Sequence, residues 1–319
     1  MWLPVLALIV GFITLVWSAD RFVSGAAATA NNLGASKILI GLTVVSIGTS
    51  APEILVALAA AIKGTSILAV GNAIGSNIAN IGLVLGVTAI VAPLPFSASV
   101  LKVELPWLIG VTLLALWCLH DLHLGAVDGL LLVAGLSLII HRLVRSQRRK
   151  PELPEAIREE LEGLEDMPMG RALAYLFVGL AVLLASAQTL VWAATEVAEY
   201  LGVSELIIGL TVIAIGTSLP ELAATLAAAI KGHPDIAIGN VVGSNILNIV
   251  AVLAVPALIT PVGLEIHVLW RDYGMMAALT LLLVLFAYGF GTRPIITRFE
   301  GCVMALAWIG YNVLLYTQA

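Results

Sequence analysis

The chain alternates between long apolar runs and short polar stretches. Ten runs have about the 20 residues that a helix needs to cross the hydrocarbon core of a bilayer. We place them at 3–25, 37–62, 66–91, 99–119, 124–143, 171–194, 205–230, 235–259, 267–289 and 298–316. The pattern therefore predicts an all-α integral membrane protein with ten transmembrane helices.

Composition supports a membrane location. Of the 319 residues, 61% are hydrophobic and 11% are charged, and the mean hydropathy is +1.07, outside the range of soluble globular domains. Runs of this length also differ from the alternation of barrel strands. No positive charge precedes the first run, so we expect a retained helix rather than a signal peptide. We expect a multi-pass protein of the inner cell membrane, with the lipid bilayer as partner, no nucleic acid and no obligatory protein partner.

The two halves of the chain repeat each other at an offset of 168 residues. Residues 41–86 and 209–254 align without a gap and are identical at 28 of 46 positions. Because each half has five segments, the halves must have opposite orientations, which is an inverted repeat of the kind found in many transporters. We predict a first five-helix repeat over 1–143, a linker over 144–170 and a second, inverted five-helix repeat over 171–319.

Positive charges indicate the orientation. With both termini outside, 13 of the 15 Lys and Arg residues fall on the cytoplasmic side, and only Lys63 and Arg271 fall outside. The linker is then cytoplasmic. It holds a basic run followed by seven acidic residues, but it lacks the alternating acids and glycine of a calcium-binding loop. A connecting segment is favoured, and a regulatory cation site is the alternative.

Each half carries one acidic residue inside an apolar helix. The second segment contains GTSAPE at 48–53 and the seventh contains GTSLPE at 216–221. An ionisable residue at this depth is costly and suggests a function. Thr49 and Glu53 are four residues apart and share one helical face. Proline frees a backbone carbonyl in the preceding turn, so the pattern predicts an oxygen-rich cage near the membrane centre.

Small and amide residues mark the third and eighth segments. Ser76 and Asn80 are four residues apart, as are Ser244 and Asn248, so each pair can present oxygens on one face. Helix packing through small and amide residues is the alternative interpretation. For the two glutamates the alternative is a protonated buried acid.

The donor set indicates a hard cation. Carboxylate, hydroxyl, amide and carbonyl oxygens suit Ca2+ or Na+. The five histidines lie near segment ends, where we expect interfacial residues, and we expect Cys118 and Cys302 to be core residues. The sequence therefore predicts no zinc or copper site and no organic cofactor.

The paired motifs GTS-x-PE and GN-x-x-GSNI-x-N resemble those of the sodium/calcium exchanger family of the cation/calcium antiporter superfamily, in its compact prokaryotic form. The resemblance covers both halves. It implies ten helices in two inverted repeats, with four ion sites between helices two, three, seven and eight. It also implies a transporter rather than an enzyme, which exchanges Na+ for Ca2+ by alternating access, with helices one and six as the moving pair.

The resemblance implies a set of ion ligands as well. Glu53 and Glu221 would be the acidic ligands of Ca2+. Neutral oxygens would complete the sites, from the side chains of Thr49, Ser50, Thr217, Ser218, Ser76, Asn80, Ser244 and Asn248 and from the carbonyls of Ser46 and Ala214. Some relatives have Asp where this chain has Asn80 or Asn248. The centre of this chain therefore holds two formal negative charges.

Sodium is favoured as the counter-ion because proton-coupled relatives carry their acid in a different local motif. An H+/Ca2+ antiporter, or another cation/Ca2+ antiporter, is the alternative. Two further classes are a passive cation channel and an intramembrane enzyme. A single duplicated chain does not supply the ring of subunits of such a channel, and no His or Lys base accompanies the Ser, Thr and Glu residues for hydrolysis.

Overall fold

The described part of the chain is almost entirely helical. The computed structural model describes residues 2–147, 167–201, 214–289 and 294–318. The helices are α1 (Trp2–Leu33), α2 (37–49), α3 (Ala51–Ile62), α4 (Ser66–Val91), α5 (Val100–Leu119), α6 (Ala126–Gln147), α7 (Met169–Tyr200), α8 (Ala214–Thr217), α9 (Leu219–Ile230), α10 (Pro234–Ile259), α11 (Val268–Tyr288) and α12 (Arg298–Gln318).

Helix boundaries repeat at the same offset as the sequence. α3 and α9 begin and end 168 residues apart, and so do α4 and α10. Both α4 and α10 contain a π-helical turn, at Asn80–Leu85 and Asn248–Val252. Such turns are rare and are found frequently at functional sites. Each of these two turns begins at a predicted ion ligand.

Seven described helices are long and apolar enough to cross a bilayer, namely α1, α4, α5, α7, α10, α11 and α12. An eighth span results if Gly41–Thr49 of α2 and the whole of α3, which meet at 49°, form one broken helix. α6 corresponds to the fifth predicted segment. Residues 205–213 of the seventh segment and 148–166 of the linker lie outside the described residues. The protein is an all-α, multi-pass membrane protein, and the count of ten spans stays a prediction.

The centre of the bundle is formed by α4 and α10. In each of them 72% of the most apolar window is buried, compared with 28% in α1 and 33% in α7. α1 and α7 pack against each other at glycines, since a Cβ on Gly25 would lie 2.4 Å from the backbone of Leu176 and one on Gly179 would lie 2.6 Å from the backbone of Phe22. The α1 and α7 pair therefore lies at the periphery, beside a polar centre.

Two short antiparallel strand pairs connect the halves. β1 (Leu94–Pro95) pairs with β4 (Ile295–Ile296), and β2 (His123–Leu124) pairs with β3 (Val262–Gly263). α5 leads from β1 to β2, and α11 leads from β3 to β4. Because the strand that precedes each helix pairs with the strand that follows the other, α5 and α11 run in opposite directions.

One minor prediction about a single residue is wrong. Cys118 is buried as expected, but Cys302 is exposed. The reason is its position on α12, where only 11% of the apolar window is buried. His233 does lie at a segment end, yet it is only 7% exposed.

Candidate functional site

The two GTS-x-PE motifs fold as helix breaks. Ser50 separates α2 from α3 with φ −83° and ψ 4°, and Ser218 separates α8 from α9 with φ −89° and ψ 1°. Proline is the second residue of each following helix, where its missing N–H costs nothing. The acids Glu53 and Glu221 thus lie in the first turn of α3 and α9. The unpaired N–H groups of a helix start favour negative charge there.

The two carboxyl groups are buried and face a common centre. Glu53 is 1% exposed and Glu221 is 0% exposed, and the two interact electrostatically. Ser50 Oγ donates a hydrogen bond to Glu221 Oε1 at 3.3 Å, so the motif of one half contacts the acid of the other. In each glutamate Oε2 has no hydrogen-bond partner among the described residues. The Oε2 atoms of Glu53 and Glu221 are therefore available to a cation or a proton.

A second connection between the halves runs through an amide. Thr49 Oγ1 donates to Asn240 Oδ1 at 3.1 Å, and Asn240 Nδ2 faces the carbonyl oxygen of Glu221 at 3.5 Å. In the other half, Asn72 Nδ2 donates to the carbonyl oxygen of Glu53 at 3.4 Å. The first Asn of each GN motif thus supports the helix turn that carries an acid.

Further predicted ligands are buried with unused polar atoms. Asn80, Asn248, Ser244 and Ser218 are each at most 1% exposed. Both amide atoms of the two asparagines and both serine hydroxyls have no hydrogen-bond partner within the described ranges. Buried polar groups are normally paired, and each exception needs an explanation. Four unpaired oxygen-bearing side chains, at positions that the repeat duplicates, are typical of a site that binds an ion.

The remaining hydroxyl ligands line a cavity. Ser76 and Thr217 face a space of about 390 Å3 that lies beside α4, α11 and α12. Its outer lining includes Asp272, which accepts a hydrogen bond from Tyr311 Oη at 2.9 Å and pairs with Arg271 at 2.6 Å. Two predicted ligands and Asp272 thus line the same cavity.

The two predicted carbonyl ligands differ from each other. The Ser46 carbonyl accepts the N–H of Ser50 at 2.9 Å and lies 3.4 Å from Thr49 Oγ1. The equivalent N–H, on Ser218, bonds instead to the carbonyl of Ile215 at 3.1 Å, one residue beyond Ala214. The repeat in sequence is therefore not a strict repeat in backbone hydrogen bonding.

Close helix packing holds this arrangement together. A Cβ at Gly243 of α10 would lie 2.6 Å from Ser46 Oγ and 2.7 Å from the carbonyl oxygen of Leu42. Only glycine lets α10 approach α2 so closely at the level of the site.

The donor set in this region consists of two carboxylates with hydroxyls, amides and carbonyls. The described residues contain no group of three His, Cys, Asp or Glu that could hold a metal ion.

Three of the residues that organise the site were not predicted from the sequence. Asn72 and Asn240 stood in a duplicated motif but were not predicted to contact the acidic turns. Thr225, which accepts a hydrogen bond from Asn240 Nδ2 at 2.8 Å, is not duplicated, because Ala57 occupies the equivalent position. For Thr225, the signal in the sequence was a polar residue at a position where the first half has the apolar Ala57.

Comparison with known proteins identifies the family. Residues 3–147 and 171–317 match the family model for the sodium/calcium exchanger protein. The chain belongs to the sodium/calcium exchanger family. Membership and fold make it a membrane antiporter that exchanges a cation for Ca2+, and the predicted family is confirmed.

The exchanger matches relatives over nearly its whole length. It is 45% identical over 311 residues to the putative antiporter CaxA of Alkalimonas amylolytica, with 97% of this chain and 98% of that protein covered. It is 30% identical over 349 residues to the sodium/calcium exchanger MaX1 of Methanosarcina acetivorans, with 98% of each covered. A solved structure of the sodium-calcium exchanger NCX_Mj, soaked with zero Na+ and Ca2+, superposes with a TM-score of 0.82 at 33% identity over 98% of this chain and 99% of that one.

Proposed function

We propose that the exchanger couples Na+ movement to Ca2+ movement in the opposite direction by alternating access. The observation that carries the proposal is the contact between Ser50 and Glu221, 3.3 Å apart, which joins the two duplicated motifs into one buried site. The name of the family model and that of the relative MaX1 both refer to sodium and calcium.

The proposed ion ligands come from both halves. Glu53 and Glu221 supply the charge, and the unpaired oxygens around them supply the neutral ligands. The full set is Glu53, Glu221, Thr49, Ser50, Thr217, Ser218, Ser76, Asn80, Ser244 and Asn248, with the carbonyls of Ser46 and Ala214. Such an all-oxygen set suits Ca2+ and Na+, which act here as transported substrates.

Burial of the two acids makes exchange obligatory. Each unpaired charge at the bilayer centre costs roughly 2.5–3.5 kcal/mol on insertion scales. An empty, doubly charged site therefore opposes the conformational change, whereas one Ca2+ or a set of Na+ ions neutralises it. Because both ions use the same oxygens, they cannot occupy the site together, and the protein returns only with the other ion bound.

The proposed architecture is ten membrane spans in two inverted five-helix repeats. The opposite directions of α5 and α11, which follow from the strand pairs, support the inversion. The proposed location is the inner cell membrane. The excess of positive charge on one side supports an orientation with both termini outside and residues 144–170 in the cytoplasm. α1 and α7, at the periphery, are the proposed moving pair.

The proposal is tested in proteoliposomes loaded with Na+ and diluted into Na+-free buffer with radioactive Ca2+. We expect Ca2+ uptake that requires the outward Na+ gradient and that is lost in Glu53→Gln and Glu221→Gln. Glu265→Gln is the matched control, because that carboxylate is 73% exposed and lies outside the site. Unchanged uptake in either site variant would overturn the site assignment.

The same vesicles distinguish the other classes of transporter. A proton gradient that drives Ca2+ uptake without Na+ would indicate H+/Ca2+ exchange, and uptake driven by a different internal cation would identify that counter-ion. Ca2+ entry that needs no internal counter-ion would indicate a channel. Each of these results rejects the proposed Na+ coupling.

A further inference from the structure

The side-chain amide of Asn240 makes polar contacts with three other residues. Asn240 on α10 is 0% exposed. Its Oδ1 accepts a hydrogen bond from Thr49 Oγ1 at 3.1 Å, and its Nδ2 donates to Thr225 Oγ1 at 2.8 Å and faces the Glu221 carbonyl oxygen at 3.5 Å. A backbone carbonyl can only accept, so the NH2 group must face α9 and the amide oxygen must face Thr49.

The orientation of this amide determines where the hydroxyl proton of Thr49 points. A threonine hydroxyl has one proton and two lone pairs. Asn240 Oδ1 accepts the proton at 3.1 Å, whereas the Ser46 carbonyl in the same helix is farther away at 3.4 Å. The Glu221 carboxyl group also interacts with Thr49, and the hydrogen bond to Asn240 leaves this carboxyl group to the cation. The lone pairs of Thr49 Oγ1 are then free for a cation. Without this contact the hydroxyl would have to rotate before it could bind one.

The other half of the protein lacks this arrangement. Ala57 occupies the position equivalent to Thr225 and has no hydrogen-bonding side chain. Asn72, the equivalent of Asn240, is partly exposed, lines the cavity and lies 3.4 Å from the Glu53 carbonyl oxygen. Thr225 therefore belongs to one half of the repeat alone, and packing that is shared by the two halves does not explain it.

We infer that Asn240 and Thr225 are positioning residues that hold Thr49 ready as a Ca2+ ligand, although neither is a member of the proposed ligand set. The inference rests on the proposed function, because Thr49 must bind the transported ion. A bound cation then meets a prepared oxygen on the Thr49 side of the site. Substitution of Thr225 changes the affinity for Ca2+ through Thr49.

The test measures equilibrium Ca2+ binding to the purified full chain in Na+-free buffer. Thr225→Val keeps the shape but removes the acceptor of the Asn240 bond, and we expect Kd to rise about three- to ten-fold, the range for one lost hydrogen bond. Thr225→Ser restores the acceptor and should bind nearly as well as the wild type. Thr280→Val is the control, since among the described residues that buried hydroxyl bonds only to its own helix, at the carbonyl of Met276.

A double-mutant cycle separates positioning from packing. In a Thr49→Val background we expect Thr225→Val to have no further effect on Kd, because the hydroxyl that it orients is gone. The same fold-change in both backgrounds, or an unchanged Kd in Thr225→Val alone, would overturn the inference. Thermal unfolding of each variant shows whether it is folded.

The outcome is independent of the coupling ion. If the wild type binds Ca2+ but shows no Na+-driven uptake, the proposed coupling fails and the cycle still decides the role of Thr225. If the wild type binds no Ca2+, the proposed function and this inference are both overturned.

Discussion

The carboxylate of Asp20 on α1 lies 2.7 Å from the ammonium nitrogen of Lys231, in the turn that follows α9. The repeat places Gln188 and Lys63 at the equivalent positions. A neutral amide cannot form the same ion pair, so one side of the exchanger has an electrostatic contact that the other side lacks.

Helix packing shows the same asymmetry. α1 packs along α9, where Ala224 is 1% exposed. Within the described ranges α7 makes no comparable contact with α3, and Val56, which is equivalent to Ala224, is 41% exposed. The structure therefore represents a conformation that is closed between α1 and α9 and more open between α7 and α3.

We predict that Asp20→Asn shifts the exchanger towards the conformation that is open between α1 and α9. Both side chains are partly exposed, so their pairing contributes on the order of 0.2–1 kcal/mol and the populations should change by up to about five-fold. The measurement is the labelling rate of Ala228→Cys, a residue that is 0% exposed, in a background without Cys302. Gln188→Glu gives Lys63 a partner, which favours closure between α7 and α3, so it should also speed the same labelling. Unchanged rates in both variants would contradict a role for the ion pair in closing this side.

Ser50 and Ser218 are equivalent in sequence but differ in bonding, so their alanine variants should differ in the absence of ions. Ser50→Ala leaves an oxygen of Glu221 unpaired and should lower the free energy of unfolding by about 1–3 kcal/mol. Ser218→Ala removes a hydroxyl that has no partner among the described residues, so it should cost close to nothing. Melting temperatures in chelator check this. With saturating Ca2+ both variants should be stabilised less than the wild type, and equal melting temperatures in chelator would reject the difference.

Gly243→Ala tests the close approach of α10 to α2. The added methyl group would lie 2.6 Å from Ser46 Oγ, so α10 must move away and overpacking should cost about 1–3 kcal/mol. We expect a lower melting temperature and weaker Ca2+ binding, because the same helix carries Ser244 and Asn248. Gly310→Ala is the matched control, since nothing lies within 4 Å of a Cβ there. Because alanine favours a helix more than glycine does, Gly310→Ala should leave the melting temperature unchanged or slightly raised, and the same result for Gly243→Ala would contradict the close approach.

The sequence alone predicted the positions of most described helices, because these depend on local patterns, and the residues of the site stay a prediction. The length of the apolar runs predicts the membrane spans. The offset of 168 residues predicts that α4 and α10 begin and end at equivalent positions. Pro52 and Pro220 predicted freed backbone carbonyls in the preceding turn, and the structure has helix breaks there, at Ser50 and Ser218. Each of these features is determined by neighbouring residues in the chain.

Differences between the two halves could not be predicted in this way. A repeat predicts equivalent contacts, yet Ser50 bonds to Glu221 while Ser218 has no partner within the described part of the chain. A protein that alternates between two conformations must hold its halves differently in each, and that difference depends on packing between helices far apart in sequence. The roles of Asp20 and Thr225 can be inferred only from the structure, because their partners are distant in sequence.

The pH dependence of stability should depend on His233, which lies just before α10 and outside the spanning segments. Burial, with the nearby charges of Lys37 and Lys231, lowers its pKa from 6.5 to about 4. The folded protein therefore disfavours the protonated ring, so the stability contributed by a neutral His233 is present above pH 6.5 and is lost as the pH falls from 6.5 towards 4. His233→Gln, which cannot be protonated, should reduce the fall in melting temperature between pH 7.5 and pH 4.5. His267→Gln is the control, because that side chain is 47% exposed. If His233→Gln loses as much stability on acidification as the wild type, other groups cause the acid sensitivity.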